Sequence, residues 1–333
     1  MLAQARRELP PDGALPGTLQ FEHKPDGFRA VVFARTDLVR VQSRQGTDLN
    51  PAFPDIAQAA AQLGEDLVLD GELVVAHEGR LDFGELQRRA RRSGRSAVQA
   101  TAEHPAYLIV FDVLEAAGTE LVARPYRERR ALLEDLFACG VLTAPFTLCP
   151  ATGDRATALD WLDPAWGAAG IEGVVVKGTE QTYQMGKRGW LKVRSRSTSE
   201  GVIGAVTGAT TSPDTLLLAR YDAAGKLRLI ARTTPLAPAV RRDLGERLRP
   251  AGPGHPWHGR RFSAGWGARS ELDFHPVQPD VIAEFIADTS VDAGCYRHPV
   301  RFLRIRAELH PMHVPLFGEE DDSAGRTGSQ YEG

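Results

Sequence analysis

The sequence predicts an α+β protein: a first unit of packed antiparallel sheets with helices, then a smaller unit made almost wholly of strands. Three observations carry this. The length of 333 residues exceeds one ordinary domain. Up to Arg194, segments with the two-residue alternation of strands are interleaved with segments of helical period. Beyond Ser199 a single helical segment remains among five strand-like ones. The first unit is therefore placed at residues 1–198 and the second at 199–317. The stretch 318–333 is polar, acidic and glycine-containing, and is expected to be a disordered tail.

Taken in order, residues 1–20 are rich in Pro and Gly and are expected to be extended. From Phe28 to Arg44, FRAVVFARTDLVRVQSR alternates as a hairpin that turns at Thr36-Asp37. Ala52–Leu63 is alanine-rich and helical, Asp66–His77 a strand, Phe83–Arg92 a basic helix, and Ala106–Leu114 a buried strand by its apolar run. Arg127–Phe137 and Arg155–Trp166 read as helices, Gly173–Lys177 and Trp190–Arg194 as short strands. In the second unit, Gly201–Gly208, Thr215–Ala219 and Leu227–Thr233 are strands, the last two flanking a turn at Ala223-Ala224-Gly225. Pro238–Leu248 is a helix; Val281–Ala287 and Val300–Ile305 are further strands. Five strands and one helix suit a small Greek-key barrel of the OB type.

Composition narrows the class. Hydrophobic residues make up 42% and charged residues 25%, as in soluble globular proteins. No apolar run reaches the ~18 residues of a membrane span, and the N-terminus lacks the apolar stretch of a signal peptide. A soluble intracellular, cytoplasmic protein is expected, without membrane association. The three cysteines, Cys139, Cys149 and Cys295, form no CxxC pair, which argues against a zinc site or a disulfide framework. A formal net charge of −3 hides two basic runs: Arg88, Arg89, Arg91, Arg92 and Arg95, and Arg297, Arg301, Arg304 and Arg306. On one continuous helix, Arg88, Arg91, Arg92 and Arg95 would form a stripe suited to DNA phosphates.

Only five of the 40 basic residues are lysines: Lys24, Lys177, Lys187, Lys192 and Lys226. Arginine stays protonated and cannot serve as an ordinary nucleophile, whereas a lysine amine can. Four of the five lie in two short segments, which points to chemistry. There is no GxxxxGK(S/T) and no GxGxxG, so a phosphate loop of the usual kind is absent. In its place stands Glu22-His23-Lys24-Pro25-Asp26-Gly27-Phe28-Arg29, a lysine beside an Asp-Gly turn that leads into a strand. Alternation puts Lys192 and Arg194 on one strand face with Leu191 and Val193 on the other, and puts Asp70 and Glu72 together likewise.

In order along the chain, KxDGxR at Lys24–Arg29, Ser43-Arg44-x-Gly46, Asp70-Gly71-Glu72, Phe111 in LIVFDVL, Glu172–Lys177 and Trp190–Arg194 together resemble the covalent nucleotidyltransferase superfamily. The resemblance is closest to the small stand-alone bacterial ATP-dependent DNA ligases, and it spans Glu22 to Phe317. It implies an adenylation domain followed by an OB-fold domain, with Lys24 as the residue that becomes adenylated. It further implies that Arg44 meets a phosphate and that Phe111 stacks on adenine. Glu72 would reach the ribose or a metal, Glu172 would help hold Mg²⁺ or Mn²⁺, and Lys192 and Arg194 would hold the α-phosphate. Glu22, Arg29 and Lys177 complete the ATP-binding set so implied.

The implied reaction runs in three steps: Lys24 takes AMP from ATP, AMP passes to the 5′-phosphate of a nick in duplex DNA, and the 3′-hydroxyl displaces it. The barrel would swing about a hinge near Ser197–Glu200. Other readings are RNA ligation, guanylyl transfer to RNA ends, and a non-catalytic DNA-end-binding protein. A monomer is expected, with any end-binding or polymerase partners supplied by other chains. Two departures from the family pattern stand out. Arg194 replaces a frequent lysine. After Arg297-His298-Pro299 the usual acid following the final arginine is missing, and Arg297, Arg301, Arg304 and Arg306 all remain candidates to act on pyrophosphate.

Overall fold

The computed structural model describes residues 1–263 and 271–319, so the expected tail lies outside the described residues beyond Glu319. Two compact units divide between Ser195 and Arg196.

The first unit carries β1 (Leu2–Arg6), β2 (Leu19–Pro25), β3 (Phe28–Arg35), β4 (Leu38–Ser43), α1 (Pro54–Ala61), β5 (Leu67–His77), β6 (Arg80–Leu81), α2 (Phe83–Ala90) and α3 (Arg95–Glu103). It continues with β7 (Ala106–Ala116), β8 (Thr119–Glu120), α4 (Tyr126–Ala138), β9 (Phe146–Leu148), β10 (Ala151–Thr152), α5 (Arg155–Asp160), β11 (Ile171–Gly178) and β12 (Arg188–Arg194). These strands make two sheets. One runs β1-β12-β11-β2-β10; the other runs β4-β3-β5-β7-β8, with β6 on β5 and β9 on β7. Alternation assigns the faces. On β3 and β5, Ala30, Val32, Ala34, Leu67, Leu69 and Leu73 enter a core with Ile56, Leu86 and Leu133 of the helices. The opposite faces send Val31, Phe33 and Val68 against Trp190, Val175 and Met1 of the other sheet. The two sheets therefore meet face to face, and polar residues on those inner faces have only each other and a cavity to turn to.

Three expectations are corrected. The N-terminal stretch is not merely extended: Leu2–Arg6 pairs in parallel with β12. The helix expected over Arg155–Trp166 stops at Asp160, and a 3₁₀ turn over Pro164–Ala169 replaces its second half, because Pro164 has no N–H to continue the ladder. The basic helix also breaks. Asp82 caps α2 by accepting from the Glu85 N–H at 2.9 Å, α2 ends at Ala90, and Gly94 turns the chain at φ +54° before α3 begins at Arg95. No continuous stripe of Arg88, Arg91, Arg92 and Arg95 exists.

The second unit carries β13 (Arg196–Ala209), β14 (Ser212–Tyr221), β15 (Leu227–Arg232), α6 (Pro238–Arg247), β16 (His275–Pro276), β17 (Ile282–Asp288), β18 (Val291–Asp292), β19 (Cys295–Tyr296) and β20 (Arg301–Ile305). Its main sheet runs β15-β14-β13-β17-β20 through antiparallel pairs, and a parallel bridge between Thr233 and Val300 joins the two edges. Closure of that order is the OB-type Greek-key barrel, filled by Ile203, Leu216, Leu218, Ile230 and Phe285. Ser197–Glu200, where the hinge is expected, lies within β13 and pairs along β17 from Ala287 to Glu284.

Candidate active site

Lys24 stands at the end of β2, ahead of the Asp26-Gly27 turn. Gly27 is required there: a Cβ would lie 2.4 Å from the Leu73 carbonyl oxygen on β5. Strand register then assembles one wall. Glu22 on β2 faces Val175 on β11, Val175 faces Lys192 on β12, and Lys192 faces Ala5 on β1. All four line a cavity of about 450 Å³, together with Lys24, Arg29, Arg44, Glu72, Phe111 and Lys177. Lys24 Nζ contacts Glu172 Oε1 from β11, and Arg194 Nε lies 3.4 Å from the other Glu172 oxygen. Glu172 and Arg194 stand behind Lys24 rather than on the cavity wall.

The facing sheet supplies Arg29, Glu72 and Phe111. Arg29 makes a two-pronged pair with Asp70, at 2.9 and 2.6 Å, and its NH2 also donates to the Tyr183 hydroxyl at 3.1 Å. The guanidinium lies 5.5 Å from the Phe111 ring and 5.3 Å from the Trp190 ring. Burial pushes the Glu72 carboxyl up to about 7, opposed by Lys24 and Arg29 and reinforced by Glu172. Burial, then the neighbouring Lys24 and Arg194, hold the Lys192 ammonium below the ordinary lysine range. At the floor Lys177 is fully buried and donates to Glu22 Oε2 at 2.7 Å and to the Phe111 carbonyl at 2.8 Å. Arg44, in the turn after β4, is exposed at the rim.

Every expected site residue is thus gathered at or beside one cavity. Sequence reasoning missed Leu2–Ala5 of β1 and Arg188, which also line it, and Tyr126, which meets Glu22 from below. A signal for Tyr126 existed: with Arg129, Arg130 and Leu133 it follows the i, i+3, i+4, i+7 spacing of one helix face, so burial of Leu133 carries the polar three inward.

Of the basic run, Arg89 is buried and bonded to Asp55, Thr101 and the His104 carbonyl, and Arg88 pairs with Glu85 at 2.6 Å. Arg91 and Arg95 remain exposed. In the barrel, Arg304 pairs with Glu284 at 2.6 Å and Arg306 with Glu200 and Glu308. Glu308, two residues after Arg306, is thus an acid paired with it.

The comparisons bear directly on this arrangement. Residues 1–194 match the family model described as the ATP dependent DNA ligase domain. DNA ligase C2 of Mycolicibacterium smegmatis is 31% identical over 92% of this chain and 90% of its own length. DNA ligase C of Mycobacterium tuberculosis is 31% identical over 93% of this chain and 90% of its own. The multifunctional non-homologous end joining protein LigD of Mycobacterium bovis is 34% identical over 69% of this chain, which spans 29% of it. In fold, the chain resembles a structure from a study of Lig E DNA ligases and DNA binding with a minimal scaffold, with a TM-score of 0.56 at 16% identity over 92% of this chain and 98% of that one. The match of residues 1–194 to that family model, together with relatives 31% identical over nine-tenths of both chains, places this chain in the ATP-dependent DNA ligase family.

Proposed function

We propose that the chain seals nicks in duplex DNA through an AMP adduct on Lys24. The observation that carries this is the contact of Glu172 with Lys24, whose side chain lines the cavity. Lys24 Nζ attacks the α-phosphorus of ATP; the N–P bond forms, the bond to pyrophosphate breaks, and Glu172 Oε1 is the nearest acceptor for the amine's proton. Lys192, Arg194 and Arg44 spread cationic charge where phosphoryl oxygens rearrange. Asp70 fixes Arg29 so that its plane stays beside Phe111. The same cavity then presents AMP to a 5′-phosphate, and the 3′-hydroxyl displaces it.

Glu72 and Glu172 fit a divalent cation. The two carboxylates repel each other, and a cation between them and the phosphates would relieve this. Among the described residues no group of three or more His, Cys, Asp and Glu could form a metal cage, so a Mg²⁺ or Mn²⁺ ion here would share its shell with the nucleotide. Glu72 and Glu172 would hold such an ion, which would supply charge neutralisation for the triphosphate.

The domain division at residue 198, a monomeric working form, and end-binding or polymerase partners on other chains belong to the same proposal. A setting in end joining is supported by the LigD relative, a non-homologous end joining protein. No helix among the described residues is long and apolar enough to cross a membrane. The test offers ATP and GTP, labelled in the α-phosphate, with nicked DNA and nicked RNA duplexes. Label transfer from ATP and joining of DNA are expected; preference for GTP or for RNA would overturn the reading.

A further inference from the structure

Glu22 lies beneath the cavity with a donor at each of its protein-facing sides. Its carboxylate is 1% exposed on a residue basis. The Tyr126 hydroxyl, at the start of α4, donates to Oε1 at 2.5 Å, and the Lys177 ammonium donates to Oε2 at 2.7 Å. Arg130, one turn further along α4, holds its NH1 3.7 Å from Oε1 while donating to the Cys149 carbonyl at 2.9 Å. Tyr126 is itself 1% exposed, and its ring centre lies 4.9 Å from Lys177 Nζ. An ionised carboxylate has only acceptor sites. With its protein side filled by donors, Glu22 keeps lone pairs for the cavity and offers nothing that donates.

That chemistry selects among purines. A 6-amino base presents an N–H donor to such an acceptor. A 6-oxo base presents a carbonyl oxygen, and the two acceptors would repel. The selection holds only while Glu22 is held in one orientation. Lys177 fixes one oxygen and Tyr126 the other; without the hydroxyl, Oε1 keeps only the Arg130 nitrogen at 3.7 Å, beyond hydrogen-bond reach, and its direction is no longer fixed. We propose that Tyr126 is a positioning residue that sets the selectivity of the pocket for a 6-amino over a 6-oxo purine nucleotide. The proposal rests on the reading that Glu22 faces the base of ATP, and it concerns a residue outside all the nucleotide motifs.

The experiment measures enzyme-AMP and enzyme-IMP formation from ATP and ITP by the full chain, by Tyr126→Phe and by Glu22→Gln, with circular dichroism and thermal midpoints recorded for each. Loss of a hydrogen bond to a charged group predicts a rise in KM for ATP of about tenfold in Tyr126→Phe. The preference for ATP over ITP should fall by a similar factor, with kcat changed by less than about threefold. Tyr126→His keeps a ring and a donor, and its preference should lie between wild type and Tyr126→Phe; it carries the test where the Phe variant does not fold. A lowered thermal midpoint with wild-type preference in both Tyr126 variants would overturn the proposal and leave Tyr126 a brace. Loss of preference in Glu22→Gln alone would also overturn it while keeping Glu22 at the base. An unchanged preference in Glu22→Gln would remove the base assignment, and no adduct on the wild-type chain would remove the proposed function itself.

Discussion

Cations gather at two places in the first unit, the cavity and the elbow between α2 and α3, and the two places hold them differently. In the cavity each of Lys24, Arg29, Lys177 and Arg194 meets a carboxylate carried by a strand, and those carboxylates are themselves buried or nearly so. At the elbow only Arg89 is buried; Arg88 pairs with the half-buried Glu85 and Arg92 with the exposed Glu103, while Arg91 and Arg95 are exposed. Strand register fixes charges to within a fraction of an ångström, which phosphoryl transfer requires. A glycine turn leaves arginines on long, hydrated stems, which suits phosphates of a polymer that slides past.

The comparison breaks most severely if buried pairs prove dispensable. Asp112 and Arg129 are both fully buried and pair through two contacts at 2.8 and 3.0 Å beneath the cavity. Asp112→Ala leaves a buried guanidinium unmatched and should cost about 3–5 kcal/mol in urea unfolding; a loss below about 1 kcal/mol would show that this network carries little. Glu172→Gln is the next largest effect. It removes the charge that orients Lys24 and should slow adenylation by about 10²-fold at saturating ATP, and a rate equal to wild type would make Glu172 structural. At the elbow, Arg91→Ala with Arg95→Ala should lower the slope of log K against log salt for nicked DNA by roughly two units, one per lost phosphate contact. Adenylation should be unaffected; an unchanged slope would return the elbow to ordinary solvated surface. Smallest of all, Arg88→Ala removes one exposed pair with Glu85 and should change stability by less than about 1 kcal/mol.

What was legible in the sequence follows the same division. Two-residue alternation told which side of β5 and β12 carries Asp70, Glu72, Lys192 and Arg194, because the period is a local property. The α+β class and the closed barrel were legible for the same reason. The pairing of Leu2–Arg6 with β12 was not, since nothing local in LAQAR names a partner more than 180 residues away. The elbow was misread because five arginines suggested one helix, and Gly94 outweighed them. Trp190 lines the cavity and its ring centre lies 5.8 Å from that of Phe111, edge-on, across the two sheets, a contact that local alternation does not reveal. Tyr126 went unnoticed because a buried hydroxyl is identified by its partner, and Glu22 lies 104 residues before it.

The central claim is that Lys24, and no other lysine of the five, carries AMP. The direct measurement incubates the chain with ATP labelled in its α-phosphate and a divalent cation, digests the product and locates the label by mass spectrometry. The account predicts one adduct, on the peptide containing Lys24, and none on Lys24→Arg, since the guanidinium keeps the charge and supplies no free amine. Label on Lys192 or Lys177, or label that survives on Lys24→Arg, would contradict it.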